Sequence, residues 1–289
     1  MSTWGFATSL AMAIVALSAP FLGVFGDIRG MRKKLFSFFM LLGVAACAGM
    51  AFTPGMDFTS GPVAAGKVAS LILVLYIVSV IGFDASAIYY DAFLTDVTTE
   101  DRMDKVSTMG YGLGYIGGST IPLLIFLIMN LVGVPMLTCL AFVFGLTAVW
   151  WLAFSLPLLK NCEQTSGKPY EKGDVARSIK GVGTTIKEII ANKPMLIYIL
   201  SYFFYIDGVH TVISMATTYG TNLGLDSTGM MLALLLVQIL GLPFCLLYIK
   251  CSEKFGARTM VGFGICVYMF ICIFAFFMNS LWQFWVLAV

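Results

Sequence analysis

Eight long apolar runs divide this chain, and they constrain its fold more than any other feature. They cover roughly residues 4–25, 35–53, 69–93, 106–130, 135–159, 195–219, 228–249 and 259–278, and a ninth begins at Leu281. Each run is close to the ~20 residues that an α-helix needs to cross a bilayer. Only 11% of the residues are charged, against about 25% in soluble domains. The sequence therefore predicts an all-α integral membrane protein that is surrounded by a lipid bilayer.

The basic residues fall on one side of this predicted membrane. The turn between the first two runs contains Arg29, Arg32, Lys33 and Lys34, and a charged residue costs about 2.5–3.5 kcal/mol at the centre of a membrane helix. If this turn is cytoplasmic and the runs alternate in direction, 16 of the 17 lysines and arginines are cytoplasmic and Lys67 is the exception. This asymmetry supports the count of eight runs and places the N-terminus on the non-cytoplasmic side.

A short charged pattern occurs twice. It reads Asp27-x-x-Gly30-x-Arg32 after the first run and Glu253-x-x-Gly256-x-Arg258 after the seventh. The two copies are 226 residues apart and six runs separate them, which suits the duplicated halves of a membrane transporter. If the turn follows the second helix of each six-helix half, the chain holds eight complete helices of an expected twelve. A natural protein of eight or nine spans is the alternative.

This interpretation divides the chain into three parts. Residues 1–160 form an N-terminal bundle that lacks its first helix, 161–193 form a cytoplasmic linker, and 194–289 form a truncated C-terminal bundle. In the linker, apolar residues recur at helical spacing and cations lie off that face: Val175, Ile179, Val182 and Ile186 against Arg177, Lys180 and Lys187. The pattern predicts an amphipathic helix on the inner membrane surface.

Several function classes lack the residues that they require. The seven cysteines form no CxxC pair and His210 is the single histidine, so we expect no metal centre and no cofactor. The chain has no HExxH, Walker A or GxSxG motif, which argues against an enzyme. Its net charge of +2 gives no reason to expect a nucleic-acid partner. An intramembrane enzyme, which can lack such motifs, is the least favoured alternative.

The first charged turn resembles a known motif. The set Gly23, Asp27, Gly30, Arg32 and Lys33 is similar to the loop between the second and third spans of the major facilitator superfamily. Three further stretches resemble one branch of it, the unknown-major-facilitator or autophagy-related vacuolar-effluxer-like family: Tyr90–Leu94, Val106–Gly118 and Phe203–Thr211.

The resemblance covers essentially the whole chain and carries expectations about fold and function. It implies a major facilitator helical bundle that acts as an alternating-access secondary transporter. Fungal members export amino acids from the vacuole, so the implied location is the vacuolar membrane in a fungus and the cell membrane in a bacterium.

Two carboxylates in the third run are candidate transport residues. Asp84 and Asp91 are seven residues apart, so a helix places them on one face about 10.5 Å apart, with Tyr90 beside them. A carboxylate at bilayer depth is costly, so contact with the solute or with a proton is one hypothesis. For Asp84 the alternative is a protonated or hydrogen-bonded structural aspartate. For Asp91, which is nearer the cytoplasmic end, a cap or interfacial role is favoured.

A second candidate site lies in the sixth and seventh runs. His210 follows Asp207 by three residues, which places both on one side of a helix. A carboxylate beside an imidazole can bind and release a proton near neutral pH. Gln238 in the next run can hydrogen-bond a solute. Helix–helix hydrogen bonds are the alternative in both cases.

The remaining candidates are structural parts of a transporter. The two charged turns are expected to form a cytoplasmic gate from Asp27, Gly30, Arg32, Glu253, Gly256 and Arg258. The loop charges from Asp96 to Lys105 either form inter-helix salt bridges or are solvated. The glycines of the fourth run are expected to let helices approach closely: Gly110, Gly114, Gly117 and Gly118.

Together these features predict a secondary active transporter of a small solute, with amino-acid efflux as the implied activity. Its expected partners are the lipid bilayer, the solute and protons. The alternative is a transporter-like membrane receptor, scaffold or lipid handler that carries no solute.

Overall fold

The computed structural model describes residues 2–56, 60–167, 169 and 174–289, and gives only the backbone of 2, 119 and 174–180. Its helices are α1 (Ser2–Gly26), α2 (Arg32–Phe52), α3 (Pro62–Ala92), α4 (Leu94–Val97), α5 (Met103–Gly114), α6 (Ile121–Leu131), α7 (Met136–Asn161), α8 (Asp174–Ala191), α9 (Lys193–Asn222), α10 (Ser227–Phe255), α11 (Ala257–Phe276) and α12 (Leu281–Ala288). A π-helical segment, Tyr115–Thr120, joins α5 to α6, and 3₁₀ turns cover Thr53–Gly55 and Glu100–Arg102.

Eight helical spans in the described part of the chain are long and apolar enough to cross a membrane. One of them, Glu100–Leu131, includes α5, the π-helical segment and α6. They coincide with the eight predicted runs, and α12 begins at Leu281 as predicted. The prediction of an all-α membrane fold is therefore confirmed. Lys168 and Lys172, which the orientation argument places in the cytoplasm, lie outside the described residues.

The predicted linker helix is present as α8. The side chains of Val175 and Ile179, on its predicted apolar face, lie outside the described part of the structure. The contacts divide the chain into two units: Met1–Met103 with Ile128–Ile186, and Asp104–Leu127 with Lys187–Val289. The boundaries of the three parts expected from the sequence stay a prediction.

The first unit is built around α2, which packs against α3 and α7, while α1 packs against α3. The backbones of α2 and α3 touch at Gly43 and Gly82, because a Cβ added to Gly82 would lie 2.5 Å from the Gly43 nitrogen. The ring of Trp151 in α7 lies against Gly43. Small residues thus let three helices approach closely, as is usual between membrane helices.

The second unit is built around α10, which contacts α9, α11, α12 and the π-helical segment. Its buried core consists of Met230, Ala233, Met278 and Phe284. Helix α9 is less covered: Gly220 is its one buried residue in the described part of the chain.

Candidate functional site

The first charged turn, defined as residues 26–32, connects the last residue of α1 to the first residue of α2. Gly30 adopts a φ of +83°, a left-handed conformation that residues with a Cβ avoid. Ile28 is buried. The turn ends at Arg32, whose side chain points inward and leaves only 4% of the residue exposed.

Arg32 is held in place by several partners in the first unit. It forms an ion pair with Asp96 in α4, through Nη1 and Oδ2. The same Nη1 donates to the carbonyl of Ala92 (2.9 Å) and to Oγ of Ser166 (3.2 Å). The guanidinium lies 5.7 Å from the centre of the Phe93 ring. A buried cation is tolerated only when it is paired and hydrogen-bonded. The Nη1 group of Arg32 meets that requirement, whereas its Nε is buried without a hydrogen-bond partner among the described residues.

The Asp96 carboxylate is completely buried and is satisfied on both oxygens. While Oδ2 faces Arg32, Oδ1 accepts four hydrogen bonds from the segment that follows α7. The donors are the backbone N–H and the hydroxyl of Thr165, at 3.1 and 2.9 Å, and those of Ser166, at 2.9 and 2.8 Å. Of the loop charges, Asp96 therefore forms the inter-helix ion pair, whereas Glu100, Asp101, Arg102, Asp104 and Lys105 are exposed.

Asp27, in contrast to Asp96, has an exposed carboxylate at the edge of the site. Its side chain is 79% exposed and its Oδ1 lies 4.0 Å from Nη2 of Arg32. The contact is at the limit for an ion pair, so Asp96 is the main partner of the arginine. The expected gating role of Asp27 stays a prediction, and its carboxylate is accessible for such a role.

The second charged turn, defined as residues 253–258, also contains a glycine with a positive φ, but its charged side chains are exposed. Gly256 has a φ of +83°, ends α10 and precedes α11. Glu253, Gly256 and Arg258 are all exposed. Their participation in a gate stays a prediction.

The candidate carboxylates of α3 have unequal environments. Asp84 is half-buried, whereas Tyr90 and Asp91 are exposed. The neighbouring Tyr89 is fully buried, and its hydroxyl donates to the carbonyl of Leu22 in α1 at 3.0 Å. Tyr89 therefore joins α3 to the end of α1, a role that the sequence pattern did not distinguish from that of Tyr90.

The candidates of the second unit lie on two helices. Asp207 and His210 are exposed on α9, and Gln238 is half-buried on α10. The carbonyl of His210 accepts a hydrogen bond from Oγ of Ser214 at 2.7 Å. The assignment of these three side chains to solute or proton binding stays a prediction.

Three tyrosines in the second unit were not predicted as site residues. Tyr205 in α9 and Tyr268 in α11 meet edge to face, with ring centres 6.3 Å apart. Tyr115, at the start of the π-helical segment, packs its ring against Gly241 of α10. Tyr115 and Tyr205 lie in two of the stretches that resemble the family, but the sequence pattern does not predict the contacts of the three tyrosines, because these depend on helix packing.

The glycines of α5 and the π-helical segment give a mixed result. A Cβ added at Gly110, Gly114, Gly117 or Gly118 would meet no atom within 4 Å in the described part of the chain. At Gly112 it would lie 2.9 Å from Leu242 and 3.1 Å from Cys245 of α10. The close helix contact here therefore lies at Gly112, and the packing role of the four predicted glycines stays a prediction.

The segment after α7 was also missed. Thr165, Ser166 and Gln164, which contacts the first charged turn, look like ordinary polar linker residues in the sequence. The one sequence signal near this site is the carboxylate of Asp96, for which a salt bridge and solvation are both possible. Their partners are 69 to 138 residues away along the chain, beyond the reach of a local pattern.

Comparison with known proteins extends these observations. A family model described as "Vacuole effluxer Atg22 like" matches residues 1–289. An uncharacterized MFS-type transporter of Bacillus subtilis (strain 168), YxiO, is 39% identical over 290 residues, which include 98% of this chain and 65% of the relative. The chain thus spans slightly less than two thirds of that protein.

Fungal relatives are more distant. Autophagy-related protein 22-1 of Penicillium rubens is 24% identical over 177 residues, with 57% of this chain and 30% of the relative covered. The protein of the same name from Aspergillus niger is also 24% identical, with 57% and 28% covered. None of the solved structures gives a significant match.

Proposed function

This chain belongs to the Atg22-like vacuole effluxer family, and on that premise we propose that it forms part of a secondary active transporter. The transporter would move a small solute across a membrane by alternating access, in which two helical halves rock around a site near the bilayer midplane. Eight helices able to cross a membrane and a relative named as an MFS-type transporter support this proposal.

The observation that carries the proposal is the buried ion pair between Arg32 and Asp96. It joins the turn between two membrane helices to the end of a third, at a motif that occurs twice in the chain. Buried ion pairs contribute little net stability compared with apolar packing. A charged contact at this position is better explained as a gate that can break and re-form during transport.

We further propose amino acids as the solute class, exported in exchange for protons. Asp207 and His210 lie within one turn of α9, and a carboxylate near an imidazole can bind an ammonium group or carry a proton. The vacuole effluxers of the matching family supply the direction of transport by analogy.

The test measures flux by the native protein that contains this chain, purified and reconstituted in proteoliposomes. Vesicles loaded with radiolabelled amino acids should release them when a pH gradient is imposed. Asp207→Asn should reduce this pH-driven release at least about tenfold, because it removes the protonatable group. Glu188→Gln, which changes an exposed carboxylate of α8, is the matched control.

Two outcomes would contradict parts of this proposal. Undiminished pH-driven release by Asp207→Asn would exclude Asp207 from coupling. Absence of flux for every solute tested, in vesicles that contain folded protein, would favour a receptor, scaffold or lipid handler.

A further inference from the structure

The segment Gln164–Gly167, which we call the strap, follows α7 and returns to the first charged turn. Gln164 contacts both ends of that turn through one side-chain amide. Its Oε1 accepts from the backbone N–H of Gly30 (2.8 Å) and of Arg32 (3.2 Å), and its Nε2 donates to the carbonyl of Gly26 (3.0 Å).

Two of these backbone groups, the carbonyl of Gly26 and the N–H of Arg32, are of the kind that helix ends leave unsatisfied. Gly26 is the last residue of α1 and Arg32 is the first residue of α2. Met31, at the N-cap position of α2, provides no side-chain cap. Gln164 thus caps the C-terminus of α1 and the N-terminus of α2 together, from more than 130 residues away in sequence.

The next two residues of the strap attach it to the ion pair. Thr165 and Ser166 supply the four hydrogen bonds to Oδ1 of Asp96. The hydroxyl of Ser166 also accepts from Nη1 of Arg32 at 3.2 Å. The strap therefore contacts both members of the ion pair and both ends of the first charged turn.

Gly167 shows how closely the strap lies on the turn. Its φ is +117°, and a Cβ at this position would be 2.6 Å from the carbonyl oxygen of Asp27 and 3.3 Å from the nitrogen of Arg29. It would also be 2.9 Å from Nε2 of Gln164. Only glycine fits between the strap and the backbone of the turn.

We infer that the strap is a positioning element of the gate, and that the strap, the first charged turn and the Arg32–Asp96 pair open and close as one cooperative unit. The start of the linker then controls the gate, because the turn keeps its shape only while the strap is docked. The hydrogen bonds of Gln164, Thr165 and Ser166 described above go to the turn and to the ion pair, so we infer that the strap acts through the turn. Its effect on solute flux rests on the proposed function, whereas its docking does not.

Hydrogen–deuterium exchange of the full chain in lipid nanodiscs tests the cooperative unit at single amides. Four amides report on it: Gly30 and Arg32, which bond to Gln164, and Thr165 and Ser166, which bond to Asp96. Gly167→Ala removes none of these donors or acceptors. We expect it to accelerate exchange at all four amides by about tenfold or more, because it displaces the strap as a whole.

Gly133→Ala is the matched control, because Gly133 has a φ of +81° but a Cβ added there would meet no atom of the described residues within 4 Å. It should leave the four amides unchanged. Gln164→Ala should likewise accelerate exchange at all four amides. This includes Thr165 and Ser166, although their amides bond to Asp96 and not to Gln164. Gln283→Ala is its control, because Gln283 caps its own helix locally, at Asn279 and Ser280.

If Gln164→Ala accelerates exchange only at Gly30 and Arg32, the inference is overturned. Such a result would show that the Gln164 bonds and the Asp96 bonds form and break independently. Unchanged exchange at all four amides in Gly167→Ala would also overturn it. If the alanine variants do not accumulate, Gln164→Glu is measured in their place. It keeps Oε1, which accepts from Gly30 and Arg32, and replaces only the Nε2 donor to the carbonyl of Gly26. Accelerated exchange at all four amides supports the cooperative unit, and unchanged exchange contradicts it.

A flux measurement separates positioning from a merely structural role. In the proteoliposome assay, Gly167→Ala should change the release rate per folded molecule severalfold, while Gly133→Ala should not. A structural role would lower the amount of folded protein and leave that rate unchanged. Absence of flux in the wild type would refute the proposed transport, whereas the exchange pattern would still decide whether the strap docks cooperatively.

Discussion

The two charged turns share a sequence pattern and a backbone conformation but differ in burial. Gly30 and Gly256 both have a φ of +83°, and a Cβ added at either would meet no atom of the described residues within 4 Å. Yet Arg32 is 4% exposed, while Arg258 is exposed. The motif therefore specifies the shape of the turn, but it does not by itself bury the arginine.

The difference follows from partners that lie elsewhere in the chain. Nη1 of Arg32 has a buried carboxylate, a carbonyl and a hydroxyl within hydrogen-bonding distance, and these replace the water that this nitrogen loses. Glu253 and Arg258 are exposed, and an exposed charge contributes little to stability even when it is paired, about 0–1 kcal/mol. Burial of the first arginine is thus a property of α4 and the strap as much as of the turn.

The largest expected difference between the turns comes from removing each arginine. Arg32→Ala leaves Asp96 buried without a cation, which should cost about 3–5 kcal/mol of unfolding free energy. Arg258→Ala should change it by less than about 0.5 kcal/mol. Denaturant unfolding in detergent micelles measures both, and similar costs for the two variants would break the comparison.

A double-mutant cycle isolates the pairing itself. Arg32→Ala and Asp96→Ala should be non-additive, with a coupling energy of about 2–3 kcal/mol, because each single variant leaves the other charge buried. The cycle of Arg258→Ala with Glu253→Ala should give less than about 0.5 kcal/mol. Additive effects of Arg32→Ala and Asp96→Ala would show that the ion pair is not the interaction that buries Arg32.

The glycines should behave alike, because they share their conformation. Gly30→Ala and Gly256→Ala should each cost about 1–2 kcal/mol, the strain of a left-handed residue that has a Cβ, without a steric clash. Thermal unfolding of the two variants in the same detergent checks this. A much larger cost at Gly30 would mean that the strap depends on the turn more strongly than the contacts indicate.

The smallest expected effects on stability are those of the exposed acids. Asp27→Asn and Glu253→Gln should each change the unfolding free energy by less than about 0.5 kcal/mol. A reduced flux of Asp27→Asn with unchanged stability would place Asp27 in the gate. A clear loss of stability in Asp27→Asn would instead assign its carboxylate a structural contact with Arg32.

Much of the fold could be predicted from the sequence. The eight membrane helices and the linker helix α8 follow from the length and periodicity of apolar residues, which are local properties. The positive φ at both turn glycines suits the residue type that tolerates it best. The candidate site is only partly predictable: the repeated pattern indicates Arg32, whereas the sequence allows both an ion pair and solvation for Asp96.

What the sequence by itself determined is the set of membrane helices and the two turns that carry the repeated pattern. Their signals lie within windows of about 20 residues, because hydrophobicity and backbone preference act locally. Only the tertiary structure decided which charges are buried. Asp96 and Ser166 reach Arg32 from 64 and 134 residues away, and a desolvated charge is stable only where the packed helices bring such partners together.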